Sequence, residues 1–335
     1  MKKNFKNIEG NVLITGGTGS WGHELCKQLL KLQKVNKIII FSRNEHKQVE
    51  MQREFNNKKL KFVIGDVRDK DSLSRVMKGI KIVFHLAALK HVPVCEENAW
   101  QAIETNVIGT QNLVSSAIES EVEYVVDVST DKAVEPHNIY GMTKGCGEKI
   151  VTTAQHNYES NTKFVCIRAG NVMGTNGSVL PLFKDQIESF NKITVTNPNM
   201  TRFLMKTKDA IFLIFEAVSM ARGGETYVMK MPSMTVDKIA KAMIKKYGDS
   251  KTNIEFIGIR PGEKMHEVLV SNVEVNKTYE LNNNYFVIVP DYGEEGFSDI
   301  KTKYNLTKLK QFSSDKAPVL KTEDFLNQIK DEDWA

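Results

Sequence analysis

Covalent staples are scarce in this chain of 335 residues, which has four cysteines: Cys26, Cys95, Cys146 and Cys166. None forms a CxxC pair or a metal-ligand spacing. That argues against a disulfide framework or a zinc module and reads as reduced thiols in a cytosolic protein. No apolar run approaches the ~18 residues of a membrane-spanning helix. The opening MKKNFKNIEGNVLITGG lacks the apolar stretch of a signal peptide. The charge excess is small, +5. It is too scattered to argue for nucleic acid, although it suits an anionic small ligand. Internal repeats and low-complexity linkers are absent.

What is present is ordinary soluble material: 41% hydrophobic and 26% charged residues. That is enough for one large α/β domain or two unequal ones. Short runs rich in Val and Ile recur: NVLIT (11–15), KIIIF (37–41), KFVIG (61–65), KIVFHL (81–86), YVVDVS (124–129) and FVCIR (164–168). Near-continuous hydrophobicity is what strands buried on both faces of a parallel sheet require. Helix-length segments such as SWGHELCKQLLKLQ and NAWQAIETNVIGTQNLVSSAIES lie between them. The alternation predicts a doubly wound Rossmann-type parallel sheet. After about residue 170 the rhythm becomes irregular, with Gly/Asn/Pro-rich pieces around helices at 207–222 and 235–247. We expect residues 1–170 to form the nucleotide-binding part. Residues 171–335 are expected to form a smaller substrate part, some of whose segments return to the sheet. The acidic tail KDEDWA reads as a frayed end.

In TGGTGSWGHEL, Gly16, Gly19 and Gly22 follow the first strand and open a helix. Glycine lets the backbone approach a pyrophosphate, and a helix N-terminus supplies N–H donors and a favourable dipole. Thr18, Ser20 and Trp21 fall in the same turn. A tight βα turn without a ligand is the plain alternative. After the second strand an acid often meets the ribose 2′-hydroxyl of NAD, but this chain reads FSRNEHKQ. Ser42, Arg43 and Lys47 suit a 2′-phosphate, so NADP is expected over NAD. Arg43 stacked on adenine, or in solvent, would leave NAD. In GDVRD, Asp66 is a candidate acceptor for the adenine amino group, beside Val67. Small Ala87 and Ala88, after the fourth strand, let the backbone pass under a cofactor.

Tyr140 and Lys144, in YGMTK, share one face of a helix. Tyrosine ordinarily titrates near pH 10, so it is a poor base unless a nearby ammonium and an oxidised nicotinamide stabilise its phenolate. With that help it can take an alcohol proton while hydride leaves the carbon. The spacing alone is common. Its force comes from opening the helix after the fifth strand.

Together, TGGTGSWG and YGMTK resemble the extended short-chain dehydrogenase/reductase family, over nearly the whole chain. FSRNEHKQ, GDVRD, AALKHVP, STDKAVEPHNIYGMTK, GNVMGTNGSVLP, MTRF and GIRPGEKMHE narrow the likeness to soluble UDP-N-acetylglucosamine 4,6-dehydratases of the pseudaminic-acid type. The resemblance implies that Thr130, Asp131 and Lys132 stand where hexose 4,6-dehydratases carry Thr-Asp-Glu. Asp131 would protonate the departing C6 hydroxyl, and Lys132 would be the C5 base if burial keeps it partly neutral. Tyr140, in place of the methionine of capsule-type relatives, implies inversion at C5.

The same resemblance implies that Asn171 contacts a phosphate or sugar hydroxyl. Ser178, Val179, Leu180 and Pro181 would run along the uridine, and Arg202 and Arg260 would clamp the diphosphate. Glu263 would accept the ribose hydroxyls, with helix-terminal acid as its plain alternative. Thr105 and Asn106 would approach the sugar, and Lys90 the cofactor or the sugar. His85 and His91 read as packing residues, and no metal site is expected. The helices at 99–120 and 138–157 are those by which this family dimerises, so a homo-oligomer is expected. Two other functions stay open: a UDP-sugar 4-epimerase, which needs Tyr and Lys and little else, and a non-catalytic NADP-binding regulator.

Overall fold

A computed structural model describes residue 5, residues 7–175 and residues 177–330. The tail at 331–335 lies outside the described residues. The core is a nine-stranded sheet of order β15-β16-β11-β6-β5-β4-β1-β2-β3. Its first six strands, in chain order, are β1 (Gly10–Thr15), β2 (Val35–Ser42), β3 (Leu60–Ile64), β4 (Ile82–His85), β5 (Tyr124–Thr130) and β6 (Lys163–Ala169). They pair in parallel throughout. The sequence-derived runs match them to within one or two residues at each end.

The later chain both leaves the sheet and rejoins it. β7 (Val172–Met173), β8 (Lys192–Val195), β9 (Thr201–Phe203) and β10 (Met205–Lys206) stand outside. β11 (Thr226–Met229) returns beside β6 in parallel. β12 (Ser233–Thr235), β13 (Asn253–Phe256) and β14 (Val268–Val270) leave again. β15 (Thr278–Glu280) and β16 (Tyr285–Ile288) close that edge antiparallel.

Period-2 alternation sends β1 and β2 residues to opposite faces, and both faces are buried. Val12, Ile14, Ile38 and Ile40 join one cluster with Ile211, Ile214 and Phe215. Leu13, Ile39 and Phe41 join another with Leu113, Val114 and Val151. Burial of each large side chain contributes about 1.5–3 kcal/mol. A separate cluster, including Leu180, Phe183, Ile193, Met234, Ile239 and Phe325, holds the outlying part together.

The helices that matter for the site are α1 (Ser20–Leu29), α2 (Glu45–Phe55), α3 (Lys70–Val76), α4 (Val92–Glu97), α5 (Ala99–Ile103), α6 (Gly109–Glu119) and α7 (Ile139–Asn157). Further on come α8 (Val179–Phe190), α9 (Thr207–Met220) and α10 (Val236–Tyr247). The predicted long helix after residue 98 is interrupted: Glu104–Ile108 is π-helical between α5 and α6. One π turn adds a residue to the 3.6-residue pattern and so re-aims the side chains around Thr105 and Asn106.

Candidate active site

The strand order 3-2-1-4-5-6 reverses between β1 and β4, where a crevice opens at the carboxyl edge. Gly16 lines it with φ +66, and a Cβ there would meet Ala87 N at 2.7 Å. No other residue fits that approach. Gly19 caps α1 without any side-chain hydrogen bond, and a Cβ on it would meet only Gly16 O, at 3.4 Å. The turn is therefore closed toward the protein and open toward the helix N-terminus. These residues fit a dinucleotide pyrophosphate.

Around the adenosine end, the expected residues divide. Arg43 is exposed, and its guanidinium lies 3.7 Å from Asp66. Lys47 is exposed in the first turn of α2. Ser42 turns inward instead, and its hydroxyl accepts from Gln48 Nε2 at 3.0 Å. Asp66 accepts from Arg68 Nε and Nη2 at 2.9 and 2.6 Å. Burial opposes its charge, but Arg68 holds the carboxyl below its ordinary range. The carboxylate expected to meet adenine is thus already committed to Arg68. Val67 is core, packed on Gly109.

Tyr140 and Lys144 lie on α7, whose N-cap Asn138 accepts from Gly141 N at 2.8 Å. Gly141 permits the helix to seat against β5's end, since a Cβ there would lie 2.2 Å from Lys132 O. Lys144 Nζ donates to Asp127 Oδ1 and Oδ2 at 3.1 and 3.3 Å. Burial works against its charge, yet Asp127 dominates and holds the ammonium above the ordinary lysine range. Burial raises the Tyr140 phenol; Lys144, Lys132 and a bond from Thr130 pull it back without cancelling the rise. Beneath them, His85 shares hydrogen bonds with Thr15 at 2.7 Å and Thr110 at 3.1 Å. Burial drives its pKa down to about 4, so the ring is neutral. His91 packs against Gly177. Both histidines thus make the packing and hydrogen-bond contacts the sequence suggested.

At the end of β5, Thr130 donates to Asp131 Oδ1 at 3.0 Å. Lys132 Nζ lies 3.0 Å from Asp131 Oδ1 and 3.4 Å from Glu267 Oε1. Burial and the nearby Glu267 raise the Asp131 carboxyl despite Lys132. Glu267 is shifted the other way: burial opposes its charge, but Lys132, Arg202 and Lys264 hold it low. Two such carboxyls, pushed apart by their surroundings, have the chemistry to serve as an acid and a base around one ammonium. The expectation that burial keeps Lys132 partly neutral is corrected. Burial does oppose its charge, but Asp131 and Glu267 outweigh it and raise the amine. Lys90 is lowered, by burial and by Lys132, and Lys264 is lowered chiefly by burial.

Other substrate candidates fare unevenly. Asn171 Oδ1, Ser178 Oγ and Thr105 Oγ1 are buried without hydrogen-bond partners, as are Ser129 Oγ, Asp131 Oδ2 and Glu267 Oε2. Buried polar atoms are ordinarily paired, so the unpaired oxygens of Ser129, Asp131 and Glu267 around the end of β5 mark a place for a polar ligand. Asn106 does not face a sugar. It is 1% exposed, spans the Leu89 N–H and C=O at 2.9 Å each, and donates to Thr143 at 3.0 Å. Ala88 lies in the same half-buried loop.

Arg202, on β9, donates to Thr201 O at 2.8 Å and approaches Glu267 at 3.8 Å. Leu180 is core, while Val179 and Pro181 begin α8. Arg260 is exposed, and its N–H donates to Glu263 Oε2 at 3.3 Å, within a turn and not at a helix terminus. Asn138 Nδ2 donates to Gly262 O at 2.9 Å, and Lys264 Nζ to Val134 O at 2.5 Å, so this turn is fastened to the α7 end. Sequence reading missed Glu267, Asp127 and Arg68. Asp127 had a local signal, a lone charge in an apolar strand. Among the described residues no cluster could hold a metal.

The sequence model of the family described as "Polysaccharide biosynthesis protein" matches residues 12–289. A Methanocaldococcus jannaschii protein named an uncharacterized membrane protein is 42% identical over 312 residues, covering 91% of this chain and 93% of the relative. A UDP-glucose 4-epimerase from Rickettsia rickettsii is 43% identical over 282 residues, covering 83% and 82%. Among solved structures, Pen from Bacillus thuringiensis superposes with a TM-score of 0.89 at 38% identity, covering 98% of this chain and 99% of that one. A Streptomyces venezuelae dTDP-glucose 4,6-dehydratase with NAD bound shares the fold, with a TM-score of 0.71 at 23% identity, covering 76% and 86%.

Proposed function

The chain belongs to the polysaccharide biosynthesis protein family, and we propose that it is an NADP-dependent UDP-N-acetylglucosamine 4,6-dehydratase. Within the extended short-chain dehydrogenase/reductase class of nucleotide-sugar dehydratases and epimerases, one observation favours dehydration. Asp131, Lys132 and Glu267 stand at the end of β5, with carboxylate oxygens left unpaired. A 4-epimerase has no use for that acid–base set.

A bound dinucleotide would supply the hydride acceptor for sugar C4 and the hydride donor for C6. Tyr140, as a phenolate steadied by the Lys144 ammonium, takes the C4 hydroxyl proton and becomes the neutral phenol. With a ketone at C4, the C5 proton becomes acidic. Glu267, which Lys132, Arg202 and Lys264 hold ionised, is the proposed base that takes it. Asp131, whose carboxyl burial and Glu267 raise, is the proposed acid that gives its proton to the C6 hydroxyl, which leaves as water. Return of a proton to C5 from a donor on the face opposite the base inverts that centre.

Arg43 and Lys47, both exposed, favour NADP over NAD. Asn171, Ser178, Arg202 and Arg260 are the proposed contacts to the UDP group. Residues 1–170 supply the cofactor part and 171–335 most of the substrate part. Exposed Trp100, Ile108 and Met142 on the α5–α7 surface favour a homo-oligomer. No described helix is long and apolar enough to cross a membrane. A cytoplasmic role in supplying a 4-keto-6-deoxy sugar nucleotide for surface glycan or pseudaminic acid synthesis is consistent with that.

The second reading is UDP-sugar 4-epimerase, which the Rickettsia relative's name favours. Incubation with UDP-N-acetylglucosamine in deuterium oxide, followed by NMR, separates the two. A 6-deoxy-4-keto product with solvent label at C5 supports dehydration. A 4-epimer alone supports the second reading, and unchanged sugar defeats both.

A further inference from the structure

Behind Lys144 lies a carboxylate that the chemistry above does not employ. Asp127 is fully buried on β5, among Tyr124, Val125, Val126 and Val128, where an aliphatic side chain would suit a parallel strand better. Its two oxygens take the Lys144 ammonium at 3.1 and 3.3 Å. The charged and titratable groups facing this pair come from each packed element. Tyr140 comes from α7, Cys166 from β6 and His85 from β4. Glu148 and Arg168 stand beyond Cys166 and bond to each other at 2.6 Å. His85 is neutral and tied to Thr15 and Thr110. Burial keeps Cys166 a thiol. Asp127 is therefore the anion in direct contact with Lys144.

We infer that Asp127 is a positioning residue, which fixes the Lys144 ammonium at the root of α7 with one N–H left to face a bound dinucleotide. An ammonium has three donors, and the carboxylate accepts along two directions from a strand hydrogen-bonded on both sides. The arm cannot swing, and its charge stays where Tyr140 feels it. The consequence for hydride transfer rests on the reading of Tyr140 and Lys144 as the redox pair; the fixation of Lys144 does not.

The test uses the full chain, free of sugar, with lysine labelled at Nζ for NMR. The Lys144 signal is identified by its loss in Lys144→Met. In the unsubstituted protein Lys144 titrates above the ordinary lysine range. In Asp127→Asn, which keeps the shape and removes the charge, its midpoint falls by at least about one pH unit. NADP binding, measured by calorimetry, weakens about tenfold in Asp127→Asn. Asp127→Glu keeps the charge but moves it outward: the Lys144 midpoint stays high while NADP binding weakens. Equal Lys144 midpoints in Asp127→Asn and the unsubstituted protein overturn the inference. If Asp127→Asn does not fold, unchanged NADP binding in Asp127→Glu overturns it. None of these readings needs turnover, so a failure to dehydrate UDP-N-acetylglucosamine would defeat the proposed function and leave Asp127's role standing.

Discussion

Two lysine–carboxylate clusters sit at opposite ends of a few residues of β5, and they are built differently. Asp127 and Lys144 are 0% and 4% exposed, and both carboxylate oxygens are bonded to the ammonium. Asp131, Lys132 and Glu267 are looser. Lys132's side chain is 23% exposed, and each carboxylate retains a buried oxygen without a partner. A completed pair fixes geometry. An incomplete one stores the capacity to bind and to exchange protons. The contrast matches the roles we propose, position for the first cluster and reactivity for the second.

The largest expected effect breaks the second cluster alone. Asp131→Asn should lower the rate of water loss about 10²–10⁴-fold while cofactor reduction, read at the nicotinamide absorbance, persists. Equal loss of both steps would erase the distinction. Lys132→Met leaves two buried carboxyls facing each other and should cost roughly 3 kcal/mol in urea unfolding. The loss should shrink at acid pH, where protonation relieves the repulsion.

His85 sharpens the comparison from below the first cluster. Its pKa is about 4 in the fold against the usual 6.5, so as pH falls through that window the unfolded chain takes the proton first. Its contribution is fully present above the upper value and declines toward the lower, by about 3 kcal/mol in all. Unfolding free energies of His85→Asn should lack that share of the acid dependence. The smallest effect is Asn138→Ala, which removes an N-cap and the tie to Gly262. It should cost about 1 kcal/mol and raise the KM for the nucleotide sugar more than it lowers kcat.

Much of this was legible locally. Strands buried on both faces announce themselves by unbroken Val and Ile, and the glycine turn by its place between strand and helix. Tyr140 and Lys144 stood out by opening the helix after the fifth strand, which their spacing alone would not have shown. What the sequence withheld depends on long-range approach or on a side chain's orientation. Glu267 meets Lys132 because β14 packs beside β5's end, and nothing within KMHEVLV says so. Ser42 and Asn106 have the right chemistry at the right positions, but Gln48, Leu89 and Thr143 claim their polar atoms. The π turn at Glu104–Ile108 is a one-residue insertion that helical periodicity does not encode.

The place of β11 between β6 and β16 bears on how the chain is made. During synthesis β6, with Val165 and Ile167 at its centre, is finished well before the strand that will cover its open side has emerged. Until β11 arrives, a nascent chain presents a hydrophobic strand with bare backbone, the kind of edge that neighbouring chains on a polysome can capture. Ribosome-bound chains stalled before β11 should therefore recruit holdase chaperones, and chains stalled after β16 should release them.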